Sequence, residues 1–238
     1  MRMSTRTGGG CVFDLIARSP IAPAPPVVRT DGWEVSGRRA VAELTLTDCS
    51  PLTKLQVRAP IGGQAAAALG VRFGRAARVG WAGNETAGTL VVGSGPGEWL
   101  LLAAPGRAAD LDLDAIAAQA PGESVTWVDQ THGRALVRLS GKHGPSLLAK
   151  LCGIDLSDDV TPDGAAFRTS VAAVATDAIR HDLPGSIRSY LLHCERSSGQ
   201  YLFDAMLRAG AEFGIEIDGF RMPDALPDRP AQTTPEAP

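Results

Sequence analysis

No two cysteines in this 238-residue sequence stand at the C-x-x-C spacing of a redox or zinc motif. The four thiols, Cys11, Cys49, Cys152 and Cys194, lie far apart, so neither a disulfide framework nor a zinc ribbon is expected. Cys152 and Cys194 sit in apolar patterns and read as small buried hydrophobes. Long apolar runs are missing too: none approaches the roughly 20 residues that span a bilayer. The stretch Cys11–Ala17 is too short for a signal peptide and is interrupted by Asp14. A cytoplasmic protein is therefore expected, with no membrane partner. Excess positive charge is absent as well. The net charge of −3 excludes a basic nucleic-acid footprint, so no nucleic-acid partner is expected. Lysine is scarce, with only Lys54, Lys142 and Lys150, and arginine carries the rest of the basic charge. Arginine suits planar pairing with carboxylates, including at interfaces.

What is present is an ordinary globular composition, 44% hydrophobic and 21% charged, long enough for a substantial core. One module reads as written twice, about eighty residues apart. One copy runs from Trp127 to Leu156: a strand, a turn at Ser140-Gly141, then a short helix with Leu147, Leu148 and Leu151. The other runs from Leu46 to Val71. In this alignment Val57-Arg58 matches Val137-Arg138, and Asp48-Cys49-Ser50 matches Asp129-Gln130-Thr131.

The periodicities place the elements. Leu55 and Val57 alternate with Gln56 and Arg58, as in a strand buried on one face only. Gln64–Leu69 is alanine-rich and reads as a helix. Strands are expected at Arg78–Trp81, Thr89–Val92 and Glu98–Ala103, the last two joined by Gly93-Ser94-Gly95-Pro96-Gly97. Leu111–Ala120 reads as a helix stopped by Pro121-Gly122. The order then repeats. Ser124–Leu139 is strand-rich, Gly144-Pro145 opens a helix, and Phe167–Ile179 and Ser189–His193 read as strands. Ser198–Phe213 is a helix with Leu202, Ala205, Met206, Ala209 and Phe213 on one side and Gly214 at its C-terminus. The fold class is α+β: duplicated strand-helix-strands-helix units with mainly antiparallel sheets, and helices on one face of each. The domain spans residues 41–220, with pseudo-halves 41–122 and 123–220. Residues 1–40 read as an irregular, proline-rich arm that is disordered or wraps a partner, and residues 221–238, with five prolines, as a disordered tail.

Chemistry is sparse. The glycine-rich segment 93–97 leads into a strand, not a helix N-terminus, so it reads as a hairpin and not a phosphate loop. Asp129 and His132 are three apart in an extended region, which turns them to opposite faces and favours structural roles. His132, His143, His181 and His193 lack metal-ligand spacing. Asp158-Asp159 reads as a solvated loop. Trp33, Trp81, Trp99 and Trp127 read as core or interface anchors.

The run from Trp127 through Asp129-Gln130-Thr131-His132-Gly133 and Val137-Arg138-Leu139-Ser140-Gly141 continues through Leu147-Leu148 and Cys152-Gly153-Ile154-Asp155-Leu156. With Gly97-Glu98-Trp99-Leu100-Leu101-Leu102 it resembles the gamma subunit of heterotetrameric sarcosine oxidase over about residues 45–218. The resemblance implies the fold of the folate-binding domain of glycine-cleavage aminomethyltransferases. It also implies an accessory subunit beside alpha, beta and delta chains. Those chains would hold FAD, FMN, NAD, tetrahydrofolate and zinc. The complex oxidises sarcosine to glycine, with hydrogen peroxide and either formaldehyde or methylenetetrahydrofolate. The chain departs from the folate-binding pattern at Pro162–Phe167, where no pterin-contacting acid can be placed. The expectation is thus no catalytic, cofactor-binding or metal-binding residue in this chain, with Trp33 and the Pro20–Pro26 arm as candidate contacts to the alpha subunit. The alternatives are a folate-binding one-carbon transferase and an assembly factor for another flavoenzyme.

Overall fold

The computed structural model describes residues 16–79, 88–108, 111 and 113–221. The expected tail, Trp81 and Cys11 lie outside these residues, apart from Arg221. The chain begins with three short strands, β1 (Ala17–Arg18), β2 (Val27–Thr30) and β3 (Trp33–Ser36), which pair in the order β1-β3-β2. There follow β4 (Leu44–Asp48), β5 (Thr53–Arg58), α1 (Gln64–Leu69), β6 (Ala76–Val79), β7 (Thr89–Gly95), β8 (Glu98–Ala103) and α2 (Leu113–Ala118). The second stretch holds β9 (Thr126–Asp129), β10 (Arg134–Gly141), α3 (Gly144–Ala149), β11 (Ala166–Val171), β12 (Val174–Arg180), β13 (Ser189–Glu195), α4 (Gly199–Gly210) and β14 (Glu216–Asp218). No helix among the described residues is long and apolar enough to cross a membrane.

Two larger sheets result, ordered β6-β7-β8-β5-β9 and β11-β12-β13-β10-β4-β14. Their strands pair antiparallel, except that β14 runs parallel to β4. Each sheet borrows a strand from the other's stretch of sequence: β4 pairs with β10, and β9 pairs with β5. The boundary at residue 122 therefore does not separate the sheets. The register also moves the alignment of the two copies by two residues. Leu55 faces Asp129 on β9, as Val137 faces Asp48 on β4, so the residue in the place matching Val137 is Leu55 and not Val57.

The sheets stack face to face, because successive residues of one strand enter different cores. Leu90 and Val92 of β7 join Leu100, Leu136, Ile179 and Leu191 between the sheets. Val91 instead joins Leu55, Val57, Leu101 and the apolar faces of α1 and α2. On the far side, Leu44, Val137, Leu139, Tyr190 and Leu192 pack on Leu147 and Leu148 of α3 and Leu202 and Met206 of α4. The layers run helix, sheet, sheet, helix. A strand covered on both faces reads as a continuous apolar run such as Trp99–Leu102. In β5, Leu55 and Val57 are buried while Gln56 is partly exposed and Arg58 exposed, as the half-buried reading expects, and Lys54, 0% exposed, departs from it.

Three further expectations change. Phe167–Ile179 is a hairpin, broken by Ala172 and Ala173 at φ 50° and 64°. Positive φ at both central residues is the geometry of a type I′ turn, and alanine gave no signal for it. Ser140-Gly141 is not a turn. Both residues lie in β10, pairing with Thr45 and Leu44, and the chain turns at Lys142-His143. Residues 16–40 are not an irregular arm. Ile21 is buried in the α4 core, and Trp33 and Val35 are buried against the intersheet core. Gln200 of α4 accepts a hydrogen bond from the Ala22 N–H at 2.7 Å, and Arg196 donates to the Arg18 carbonyl at 2.9 Å. Trp33 is therefore spent inside the molecule and is withdrawn as a contact for another subunit.

Candidate functional site

Where the two sheets exchange strands, the chain repeats one small device. After β4, the Asp48 carboxylate accepts from the Ser50 N–H at 2.9 Å, and the Ser50 hydroxyl accepts from the Leu136 N–H at 3.1 Å. After β9, Asp129 accepts from the Thr131 N–H at 2.7 Å, and the Thr131 hydroxyl accepts from the Lys54 N–H at 3.0 Å. Each Asp-x-Ser/Thr turn thus caps the strand that neighbours its own in the sheet, β10 beside β4 and β5 beside β9. Such a side chain satisfies a backbone donor that the interrupted ladder leaves open.

The residues that meet there differ: Leu136 on one strand, Lys54 on the other. The Lys54 ammonium donates to the Ser50 and Leu52 carbonyls at 2.6 and 2.7 Å. Burial pulls its pKa down to about 8, against the pull of Asp48 and Asp129. Burial also raises the Asp48 carboxyl above the usual range, although Ser19 and Ser50 bond to it. Unfolded, the lysine titrates near 10.5. Between about 8 and 10.5 the unfolded chain binds the extra proton, so this residue's contribution to stability rises with pH there. The whole effect is about 3 kcal/mol. Buried Cys49 and Cys194, both pushed up to about 11, titrate in the opposite sense. The difference between variant and wild type cancels them. Lys54→Met is expected to unfold later than wild type at pH 7, and to lose about 3 kcal/mol of that advantage by pH 10.5. Thermal unfolding of both proteins across that range checks this, and a pH-independent gap would refute it.

A second buried polar pair sits on β12 and β13. His193 Nδ1 lies 3.2 Å from Asp177, which also accepts from Arg168 at 2.6 Å. Burial alone would raise the Asp177 carboxyl, but the bonds from His193 and Arg168 prevail and hold it low. Desolvation lowers the His193 pKa, and its buried Nε2 has no partner among the described residues. His193 turns to the intersheet side and Cys194 to the helix side, as their strand spacing required.

The other residues singled out in the sequence go elsewhere. His132 stacks on Trp33 at 4.8 Å while Asp129 caps Thr131, so the two do not form a carboxylate–imidazole pair. His143 stacks on Phe213. Burial beside Arg138 and Arg78 lowers the His181 pKa to about 4. Segment 93–97 is a hairpin turn, with a register shift between Gly93 and Gly95. Asp158 is not merely solvated: it accepts from both Arg180 and Arg188 at 2.5 Å. Trp99 donates to the Val71 carbonyl at 2.6 Å, whereas Trp127 is 39% exposed on the edge strand β9. Sequence reasoning missed Lys54, the His193–Asp177 pair and Arg138. The available signal was a rare lysine at the start of a strand, five residues after a cysteine.

Beside the strand exchange, a cavity of about 240 Å³ opens between the sheets. Arg138 reaches into it from β10, next to the Cys49 thiol, and Arg78, Arg107 and Arg221 stand around it. No family model matches the chain. The gamma subunit of sarcosine oxidase from Corynebacterium sp. (strain U-96) is 32% identical over 161 residues, 67% of this chain and 75% of that subunit. A chain of the heterotetrameric sarcosine oxidase from Corynebacterium sp. U-96, solved in complex with pyrrole 2-carboxylate, superposes with a TM-score of 0.59. The identity is 26%, covering 73% of this chain and 87% of the other. The glycine cleavage system aminomethyltransferase T from Bartonella henselae superposes with a TM-score of 0.61 at 16% identity, covering 81% of this chain and 55% of that one. At that identity it shares the fold alone.

Proposed function

The chain belongs to the sarcosine oxidase gamma-subunit family, and on that premise we propose that it is the accessory, non-catalytic subunit of a heterotetrameric flavoprotein complex. The complex oxidatively demethylates sarcosine to glycine, forming hydrogen peroxide and formaldehyde or methylenetetrahydrofolate. An alpha subunit is the direct partner, with beta and delta chains in the same cytoplasmic assembly. FAD, FMN, NAD, tetrahydrofolate and zinc are held by those other chains. We further infer that the domain arose by duplication of one strand-helix-strands-helix unit. The matching strand orders of the two sheets and the paired Asp-x-Ser/Thr caps support that reading.

The observation that carries the proposal is the 32% identity spread over three quarters of a gamma subunit. The fold is built to be stable on three apolar cores, and its conspicuous buried polar groups hold strands together. A subunit that shapes and supports a larger assembly needs no more than this. The test is affinity purification of the tagged chain from its native host, recording visible absorbance with subunit masses. A yellow preparation of four different chains is expected. A colourless, single-chain preparation would sink the proposal.

A further inference from the structure

The cavity between the sheets has a composition that the capping network does not account for. Among the described residues its wall carries Arg78, Arg107, Arg138 and Arg221 and one carboxylate, Asp218, and Arg78 donates to the Gly88 carbonyl at 2.8 Å. Asp218 is already engaged: it accepts from the Ala40 N–H at 3.0 Å and pairs with Arg221 at 3.3 Å. The deepest of the four cations is Arg138, half-buried on the central strand β10. Its Nη1 donates to the Ser189 hydroxyl at 2.8 Å and to the His181 carbonyl at 3.5 Å. Among the described residues, its Nε and Nη2 meet no oxygen acceptor. The Cys49 thiol beside it, raised by burial, stays protonated at neutral pH and supplies no counter-charge. The low pKa of His181, set by burial and then by Arg138 and Arg78, reflects the same positive surroundings.

Thr45, Thr47, Thr89 and Ser140 add hydroxyls to the lining, and Leu52, Leu90, Leu102, Leu191 and Phe220 supply its apolar part. A concave apolar pocket with a few convergent charged donors is the usual form of a small-molecule site. Guanidinium groups favour planar, bidentate acceptors, and a carboxylate is such an acceptor. We propose that this cavity binds a small organic carboxylate with a flat apolar body, its carboxylate on Arg138 and its body against the leucines and Phe220. This goes beyond the accessory role and does not depend on it.

The test uses the purified full-length chain and 1-naphthoate as probe, followed by titration calorimetry and thermal shift. 1-Naphthalenemethanol is the uncharged comparison, and inorganic phosphate the anion without an apolar body. Saturable binding of 1-naphthoate is expected, with the alcohol and phosphate each at least about tenfold weaker. Arg138→Gln is expected to weaken naphthoate about tenfold and leave the alcohol unchanged. Should that variant fail to fold, Arg138→Lys, which keeps the charge and loses the planar fork, decides the question through a smaller loss in the same direction. No saturation up to about 10 mM, or equal binding of acid and alcohol, or variants indistinguishable from wild type, would each overturn the proposal.

Discussion

Trp33→Ala is expected to lower the thermal midpoint by about 10 °C, which corresponds to a loss of about 4 kcal/mol for a domain of this size. The indole is 5% exposed, and it reaches from β3 into the core between the two large sheets. Its ring stacks on His132 at 4.8 Å with an interplanar angle of 10°. His132 belongs to the β9–β10 turn, and its carbonyl accepts from Arg196 at 3.1 Å. Removing the indole therefore opens a cavity and also loosens the small N-terminal sheet from that turn. Trp33→Phe keeps a stacking ring and should recover roughly half of the loss. A midpoint within about 2 °C of wild type for Trp33→Ala would show that the N-terminal strands do not contribute to the cooperative unit.

Gly141→Ala is expected to cost as much or more, about 4 kcal/mol, and to reduce the soluble yield of the chain. Gly141 ends β10 at φ 129°, a conformation that side chains rarely adopt. A Cβ there would collide with the Glu43 carbonyl oxygen and stand 3.0 Å from Leu44 Cα. Both contacts are backbone, so neither can swing aside. The strand that must give way is β4, the one lent to this sheet from the other stretch of sequence. Gly153→Ala is the control, with no heavy atom within 4 Å of its Cβ position and an expected change within about 0.5 kcal/mol. Equal urea midpoints for the two variants would refute the argument.

Much of this architecture could be read from residue spacing. The helices at Gln64, Gly144 and Gly199 follow from apolar faces and from Pro145 and Gly214, because local periodicity sets which side a helix buries. The hairpin across Gly93–Gly97 follows from its glycines. The paired Asp-x-Ser/Thr segments were visible as a repeat, yet their work was not. A cap is defined by the amide it satisfies, and those amides lie 86 and 77 residues away. The N-terminal strands were hidden by prolines and by the short length of each strand. What orders them is burial of Ile21 and Trp33 against surfaces made by the rest of the chain. The Phe167–Ile179 hairpin was hidden because two alanines hold positive φ, which the tight Val171–Val174 pairing enforces.

The sequence by itself determined the class of structure and the lineage: alternating strand and helix periods, a mildly acidic surface, and a gamma-subunit resemblance in the Trp127–Leu156 run. Those properties are local or compositional, and no folding is needed to read them. The tertiary structure alone decided that β4 and β9 trade sheets, that Lys54 is a buried charge while Leu136 takes the matching place, and that four arginines from separate segments surround one cavity. Each of these depends on contacts between residues far apart in sequence. Burial and hydrogen bonding at such contacts are properties of the assembled layers, which no single segment carries.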